Sequence, residues 1–167
     1  MKSKGVIDIV YNFHDSLTFG KRGEDIVIKY LLDNNEDVCD VSNNKKYQKC
    51  DIDAFVTTKD SRRFSVEIKT DSFDTGNIFF EFISSIDPFS LGCMIKTKAD
   101  FLFYFFIKTK ELYILNMKKY RAFVAENMDN FQWKKVKNTE YESVGFLVPK
   151  KYLEENFKSY KKVILNE

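Results

Sequence analysis

The stretch "KCDIDAFVTTKDSRRFSVEIKT", residues 49–70, decides how this chain is read. Its first part alternates: Ile52, Ala54 and Val56 share one side, and Asp51, Asp53 and Phe55 share the other. Successive side chains of a strand point to opposite faces, so residues 49–58 are predicted to be a strand. "KDSR" at 59–62 has turn composition. The next segment, 63–70, alternates again, with Phe64, Val66 and Ile68 against Ser65, Glu67 and Lys69. The two segments predict an antiparallel hairpin. A turn centred near residue 60 sets Asp53 opposite Glu67. Two carboxylates facing each other repel unless a cation lies between them. Lys69 points to the same side one pleat along, near Asp51.

Working outward, "GKRGEDIVIKYLLDN" at 20–34 repeats apolar residues at helical spacing and stops at Asp33-Asn34-Asn35. Glu24 there shares a face with Val27, Ile28 and Leu31, which would hold its carboxylate close to the sheet. Taken alone, a Glu in a first helical turn is also what the helix dipole favours. Residues 36–42 suit a short strand, and "IFFEFI" at 78–83 suits another, interrupted by Glu81. "DFLFYFFIK" at 100–108 is apolar on both faces, as a strand covered on both sides should be. "ELYILN" at 111–116 follows as its hairpin partner, and 117–128 as an amphipathic helix. Strands are expected at 131–137 and 143–148, and a helix over 149–160 starting at Pro149. The order is that of an α/β or α+β layered domain. The chain has no repeats and no Pro/Gly/Ser linker, so 1–167 reads as a single domain.

Composition narrows the function classes. With 167 residues, 44% apolar and 31% charged, the chain is globular, and its net charge of +2 neither requires nor excludes a polyanion. The N-terminal apolar segment is broken by Asp8 and Asn12 too soon for a secretory signal. The run "FLFYFFI" is too short to cross a bilayer as a helix, so the expectation is no membrane and a soluble cytoplasmic protein. Three cysteines (Cys39, Cys50, Cys93), no CxxC and the single His14 could make a zinc site only by all converging; reduced thiols fit better. His14 as a general base has no accompanying partner pattern.

The polar face of the hairpin has a chemical use. Mg²⁺ binds oxygen ligands, takes one or two protein carboxylates and keeps several waters. Bound beside a phosphodiester it polarises the phosphoryl group and lowers the pKa of water. A lysine next to it can orient the nucleophile, help its deprotonation or balance transition-state charge. Polar alternation on a half-buried strand is commonly only solubilising, and it is the opposed Asp53 and Glu67 that bring the chemical reading level with it.

Three segments in order, "GKRGEDIVIKYLL" (20–32), "CDIDAFV" (50–56) and "FSVEIKT" (64–70), resemble the PD-(D/E)XK nuclease superfamily. The likeness is to its Holliday-junction-resolvase-like and small bacterial endonuclease-like members. The resemblance implies a restriction-endonuclease-like α-β-β-β-α-β core, a central mixed sheet flanked by helices, with extra C-terminal strands and a helix. It implies catalytic roles for Glu24, Asp53, Glu67 and Lys69, with metal held by Asp53, Glu67 and the backbone carbonyl of Ile68. Mg²⁺ is the implied cofactor, with Mn²⁺ as a substitute. It also implies a prokaryotic or viral role in restriction, repair, recombination or defence. No Pro precedes Asp53, and Asp51 leaves the choice of the main acid open. Asp51 and Glu81 are accessory candidates, Glu81 reading more readily as a charge guarding a strand edge.

A nuclease needs a polyanion groove. Lys21 and Arg22 at the helix start, and Lys45, Lys46 and Lys49 before the Asp53 strand, flank the acids in sequence. Arg62 and Arg63 sit at the hairpin turn, away from the acids. The expected partner is DNA, with RNA open as an alternative. A homodimer is what symmetric cutting of two strands would need. The rival expectation is a nuclease-like fold kept only to bind nucleic acid or protein.

Overall fold

The computed structural model describes residues 13–35, 37–137 and 141–166, with side chains from Thr18 onward in the first helix. The His14 side chain lies outside the described residues. Among the described residues, no helix is long and apolar enough to cross a membrane.

The chain forms a mixed α/β structure around a six-stranded mixed sheet. In chain order it contains α1 (Phe13–Asn34), β1 (Asp37–Asp40), α2 (Lys45–Gln48), β2 (Ala54–Thr57), β3 (Arg63–Asp71), β4 (Asn77–Ser85), β5 (Ser90–Leu91) and α3 (Cys93–Lys96). Then come β6 (Phe101–Phe106), β7 (Glu111–Asn116), α4 (Met117–Asn127), β8 (Gln132–Lys137), β9 (Glu142–Pro149), α5 (Lys150–Asn156) and β10 (Tyr160–Ile164). The main sheet has the order β1-β2-β3-β6-β7-β10; a second sheet has the order β5-β4-β9-β8. Only the β3–β6 contact in the main sheet is parallel.

The aromatic run of β6 lies between β3 and β7, as its two-faced apolar pattern predicts. Phe103 and Phe105 join Val27, Leu31, Val66 and Ile68 beneath α1. Leu102, Tyr104 and Phe106 join Ile78, Phe80, Tyr120 and Leu153 on the other side, where the second sheet, α4 and α5 pack. Because β3 and β6 are in register with Glu67 beside Leu102 and Lys69 beside Tyr104, the charged residues of β3 lie in the layer between the two sheets. α1 sits close on β3 because Gly23 has no side chain: a Cβ there would lie 2.1 Å from Thr70 Oγ1. α1 stops where expected. Asn34 and Asn35 turn back and donate to the carbonyls of Tyr30 and Leu31, each at 2.7 Å, satisfying groups the helix leaves open.

Several boundaries differ from expectation. α1 begins at Phe13 rather than 20, and β1 is confined to 37–40 rather than 36–42. The predicted strand 49–58 shrinks to Ala54–Thr57. Residues before it turn through α2 and through Asp51, whose φ of 46° is left-handed and whose carbonyl accepts from Thr97 Oγ1 at 2.5 Å. The predicted helix 149–160 ends at Asn156, and Tyr160–Ile164 instead pairs with β7. That edge strand carries adjacent exposed lysines, Lys161 and Lys162, which obscure its period in the sequence. The strands expected at 78–83 and 143–148 form and run longer, as Asn77–Ser85 and Glu142–Pro149, but their separation into a second sheet was not legible.

Candidate active site

Register places the site. β2 and β3 pair as the turn near residue 60 requires, Ala54 with Val66 and Thr57 with Arg63. Asp53 stands just before the first paired residue, so it is not a ladder partner of Glu67 as the simple register implied. Its amide donates to the Val66 carbonyl at 2.8 Å, and its Oδ2 accepts from the Ile68 amide at 2.7 Å. The carboxylate thus does the work of a strand residue at the end of β2. A strand residue sends its N–H and C=O to the same edge, so the Ile68 carbonyl points the same way, past the start of β2.

Glu67 is buried, 4% exposed, and its Oε1 lies 3.2 Å from Lys69 Nζ. Burial pushes Glu67 up to about 8, against the pull of Lys69 and with a further push from Asp53 and Asp51. Burial likewise raises Asp53, opposed by the Ile68 hydrogen bond and assisted by repulsion from Glu24; a hydrogen bond shared with Glu67 pulls the other way. The two carboxyl groups are therefore neighbours, though not as a ladder pair. Lys69 is held well above the ordinary lysine value by Cys93, Glu67 and Glu81. Cys93 is itself pushed by burial to about 12 and is a neutral thiol near pH 7, so there the pull on Lys69 comes from the carboxylate charge that Glu81 and Glu67 keep.

Glu24 lies near Asp53 and accepts from Lys21 at 3.3 Å, its side chain largely buried. Its position follows from the Gly23–Thr70 contact, which brings the helix onto β3. Asp51 is tied elsewhere: Lys96 on α3 reaches it at 2.8 Å. Asp53, not Asp51, accepts from the Ile68 amide and lies beside Glu67.

Glu81 is not an edge charge. β4 is flanked by β5 and β9, and Glu81 pairs with Gly145. Its carboxylate turns toward α3, where the Cys93 amide donates to Oε2 at 3.4 Å, and burial raises its pKa against the pull of Lys69. Gly92 makes this fit possible, since a Cβ there would lie 2.9 Å from Glu81 Cγ. Glu81 thus joins the Glu67–Lys69 group from the second sheet. Cys93 joins it too, and nothing in the local sequence marked it for that place.

The basic residues divide. Lys21 is engaged by Glu24 and by Asp25 at 3.1 Å. Arg22 is exposed on the same helix, facing the Val163–Leu165 side. Lys45, Lys46 and Lys49 are exposed in the β1–β2 connection, close in sequence to Asp51 and Asp53. Arg62 pairs with Asp60 at 2.8 Å at the far end of the hairpin.

Among the described residues, no group of three or more His, Cys, Asp or Glu side chains is arranged to hold a metal ion. The donors this end of the hairpin offers are two neighbouring carboxyl groups and, on the same edge of β3, the Ile68 carbonyl, all oxygen. That is the kind of set, small in protein ligands and hard in character, which suits Mg²⁺ rather than zinc. The three cysteines are free thiols, exposed at Cys39 and buried at Cys93. Comparison of the chain with family models, with curated proteins and with solved structures finds no match.

Proposed function

We propose that the chain is a metal-dependent nuclease that hydrolyses DNA phosphodiester bonds, built on a restriction-endonuclease-like core. The observation that carries this reading is the meeting of Asp53, Glu67, Lys69 and the Ile68 backbone at the open end of one hairpin. The order α1, β1, β2, β3, α3, β6 supports the α-β-β-β-α-β core if the short α2 is taken as part of the β1–β2 connection and β4 and β5 as an insertion that pairs with the later strands β8 and β9 in the second sheet.

In this reading Asp53, Glu67 and the Ile68 carbonyl would hold Mg²⁺ or Mn²⁺. Bound there, the ion supplies Lewis acidity toward a phosphoryl oxygen and a lowered pKa for water. The chain's own residues do the rest. The Ile68 amide fixes the Asp53 carboxylate in one orientation. The Lys69 ammonium, paired to Glu67 and drawn by Glu81, is a fixed positive charge aimed where negative charge develops on phosphate. Glu24 completes the acidic wall near Asp53, and the lysines of the β1–β2 connection offer contacts to the flanking phosphates.

The test is incubation with supercoiled, linear, branched and single-stranded DNA, and with RNA, in Mg²⁺ or Mn²⁺ against an EDTA control. Metal-dependent cleavage of at least one substrate is expected, lost in EDTA. Binding of nucleic acid with no cleavage of any substrate would replace the enzyme with a binding module.

A further inference from the structure

Beside the carboxylate–lysine group lies a cleft that the proposed chemistry does not use. It has a volume of about 290 Å³ and opens between the N-terminal half of α1, the end of β3 and the face of the second sheet. Glu81 belongs to both places: it lines the cleft and acts on Lys69. The cleft therefore adjoins the group where a scissile phosphate would lie, with Glu81 as the shared residue.

Its lining has three characters. Phe19, Phe79 and Tyr141 form aromatic walls, with Phe19 45% exposed. Gly145 gives the Phe79 ring its place, because a Cβ there would lie 2.6 Å from the ring. The floor carries Asp71 and Glu81, both held in orientation. Asp71 accepts from the Tyr104 hydroxyl at 2.9 Å and from the Phe73 amide at 2.6 Å, and Glu81 from Cys93. Lys134 stands at the rim on β8, a strand that also exposes Lys137.

These features select one occupant. Carboxylates on the floor repel phosphate and accept from the ring N–H and amino groups of a base. Aromatic walls stack a base whatever its identity. A lysine at the mouth suits the phosphate that stays outside. The volume lies at the lower edge of small-molecule sites, about 300–1,000 Å³, which admits one nucleotide and not a duplex. Resting on the nuclease reading, we infer that the cleft receives one unpaired nucleotide next to the scissile phosphate. The substrate class is then single-stranded or branched nucleic acid with unpaired residues at the cut, not blunt duplex.

The test measures binding without cleavage. Fluorescence anisotropy in EDTA compares labelled single-stranded DNA, single-stranded RNA, a blunt duplex and the same duplex with a single-stranded flap. Wild type, Phe19→Ala, Phe79→Ala and Lys134→Ala are used as full chains. Single-stranded and flapped probes should bind about tenfold tighter than blunt duplex, and each aromatic variant should lose about tenfold on those probes only. Phe79 packs on Gly145 and its loss can disturb the sheet; Phe19 is exposed, so its variant decides the matter. Lys134→Ala should flatten the salt dependence of single-strand binding. Equal binding of all probes, equal losses on duplex and single strand in Phe19→Ala, or no binding at all would each overturn the inference. Metal-dependent cleavage of blunt duplex by Phe19→Ala at the wild-type rate would remove the cleft and keep the nuclease. Single-strand binding through the cleft without cleavage by wild type would do the reverse.

Discussion

Two charged groups lie along the same central strand, one beside each end of β6, and they behave in opposite ways. At its start, beside Leu102, Glu67 is gathered with Asp53, Glu81 and Lys69. At its end, beside Phe106, Glu111 is gathered with Lys150 at 2.6 Å, and Lys162 bridges it to Glu154 at 3.0 Å. Burial opposes ionisation in both. In the second group hydrogen bonds from Lys150 and Lys162 outweigh it and hold Glu111 at about 2. In the first they do not, and Glu67 stands at about 8. The difference is one of partners and water. Glu111 has an ammonium on each side and some solvent, whereas Glu67 shares Lys69 with other acids in a nearly dry layer. The Glu111 group is completed by its own chain and ties α5 and β10 to the sheet. The Glu67 group is short of positive charge, as the proposed metal site would require.

The sharpest way to break this comparison is to remove each member of the uncompleted group. Glu67→Ala should abolish Mg²⁺ binding and cleavage together. Lys69→Met keeps the carboxylates and should leave metal binding intact while cleavage falls about 10³-fold or more. Calorimetric metal titration beside a cleavage assay reads both. Loss of metal binding in Lys69→Met would reassign the lysine to holding the acids in place.

Next in size is the effect of pH on the metal-free protein. The folded value of Glu67, about 8, lies above the ordinary 4.5, so the folded state keeps the proton longer. The contribution to stability is full below 4.5 and is lost as pH rises through 8. Glu67→Gln, which cannot ionise, should be more stable than wild type by about 3 kcal/mol at pH 7, with the difference vanishing near pH 4. Urea unfolding of both proteins across that range measures it. A constant difference would mean that Glu67 is not desolvated.

The completed group has the opposite sign. Glu111 is depressed to about 2, so its contribution is present above 4.5 and lost as pH falls through 2. Glu111→Gln should cost about 3 kcal/mol at pH 7 and well under 1 kcal/mol at pH 2, again by urea unfolding. Cleavage should be unchanged by this variant at temperatures where it stays folded.

The smallest expected change in stability probes how Glu24 is held. Gly23→Ala places a methyl against Thr70 and should push α1 off β3 at a cost of about 1–2 kcal/mol. Cleavage should drop more than this stability loss explains, since Glu24 moves away from Asp53 with the helix. Unchanged cleavage in a destabilised protein would leave Glu24 outside the chemistry.

What the sequence by itself determined is what local pattern carries. Period-2 alternation marked the 54–70 hairpin, a short turn set its register, and helical spacing marked α1 and its stop at the asparagines. These reach over a few residues, and neighbouring residues decide them. The two-faced apolar run placed β6 at the centre, because only a strand covered on both sides can be apolar on both. The pairing of Asp53 with Glu67 and Lys69 followed from the hairpin alone, apart from the shift that makes Asp53 a carboxylate cap on Ile68. Tertiary structure decided the rest. Glu81 reads as an isolated charge until β4 is enclosed by β5 and β9 and the Cys93 amide fixes its carboxylate. Asp51 and Asp53 are indistinguishable in sequence until Lys96, far along the chain, takes one of them. The cleft joins α1, the end of β3 and the second sheet, which meet only after the chain has folded. Burial decides the charge state of Glu67 in the same way: the sequence supplies the carboxyl group, and the two packed sheets take away its water.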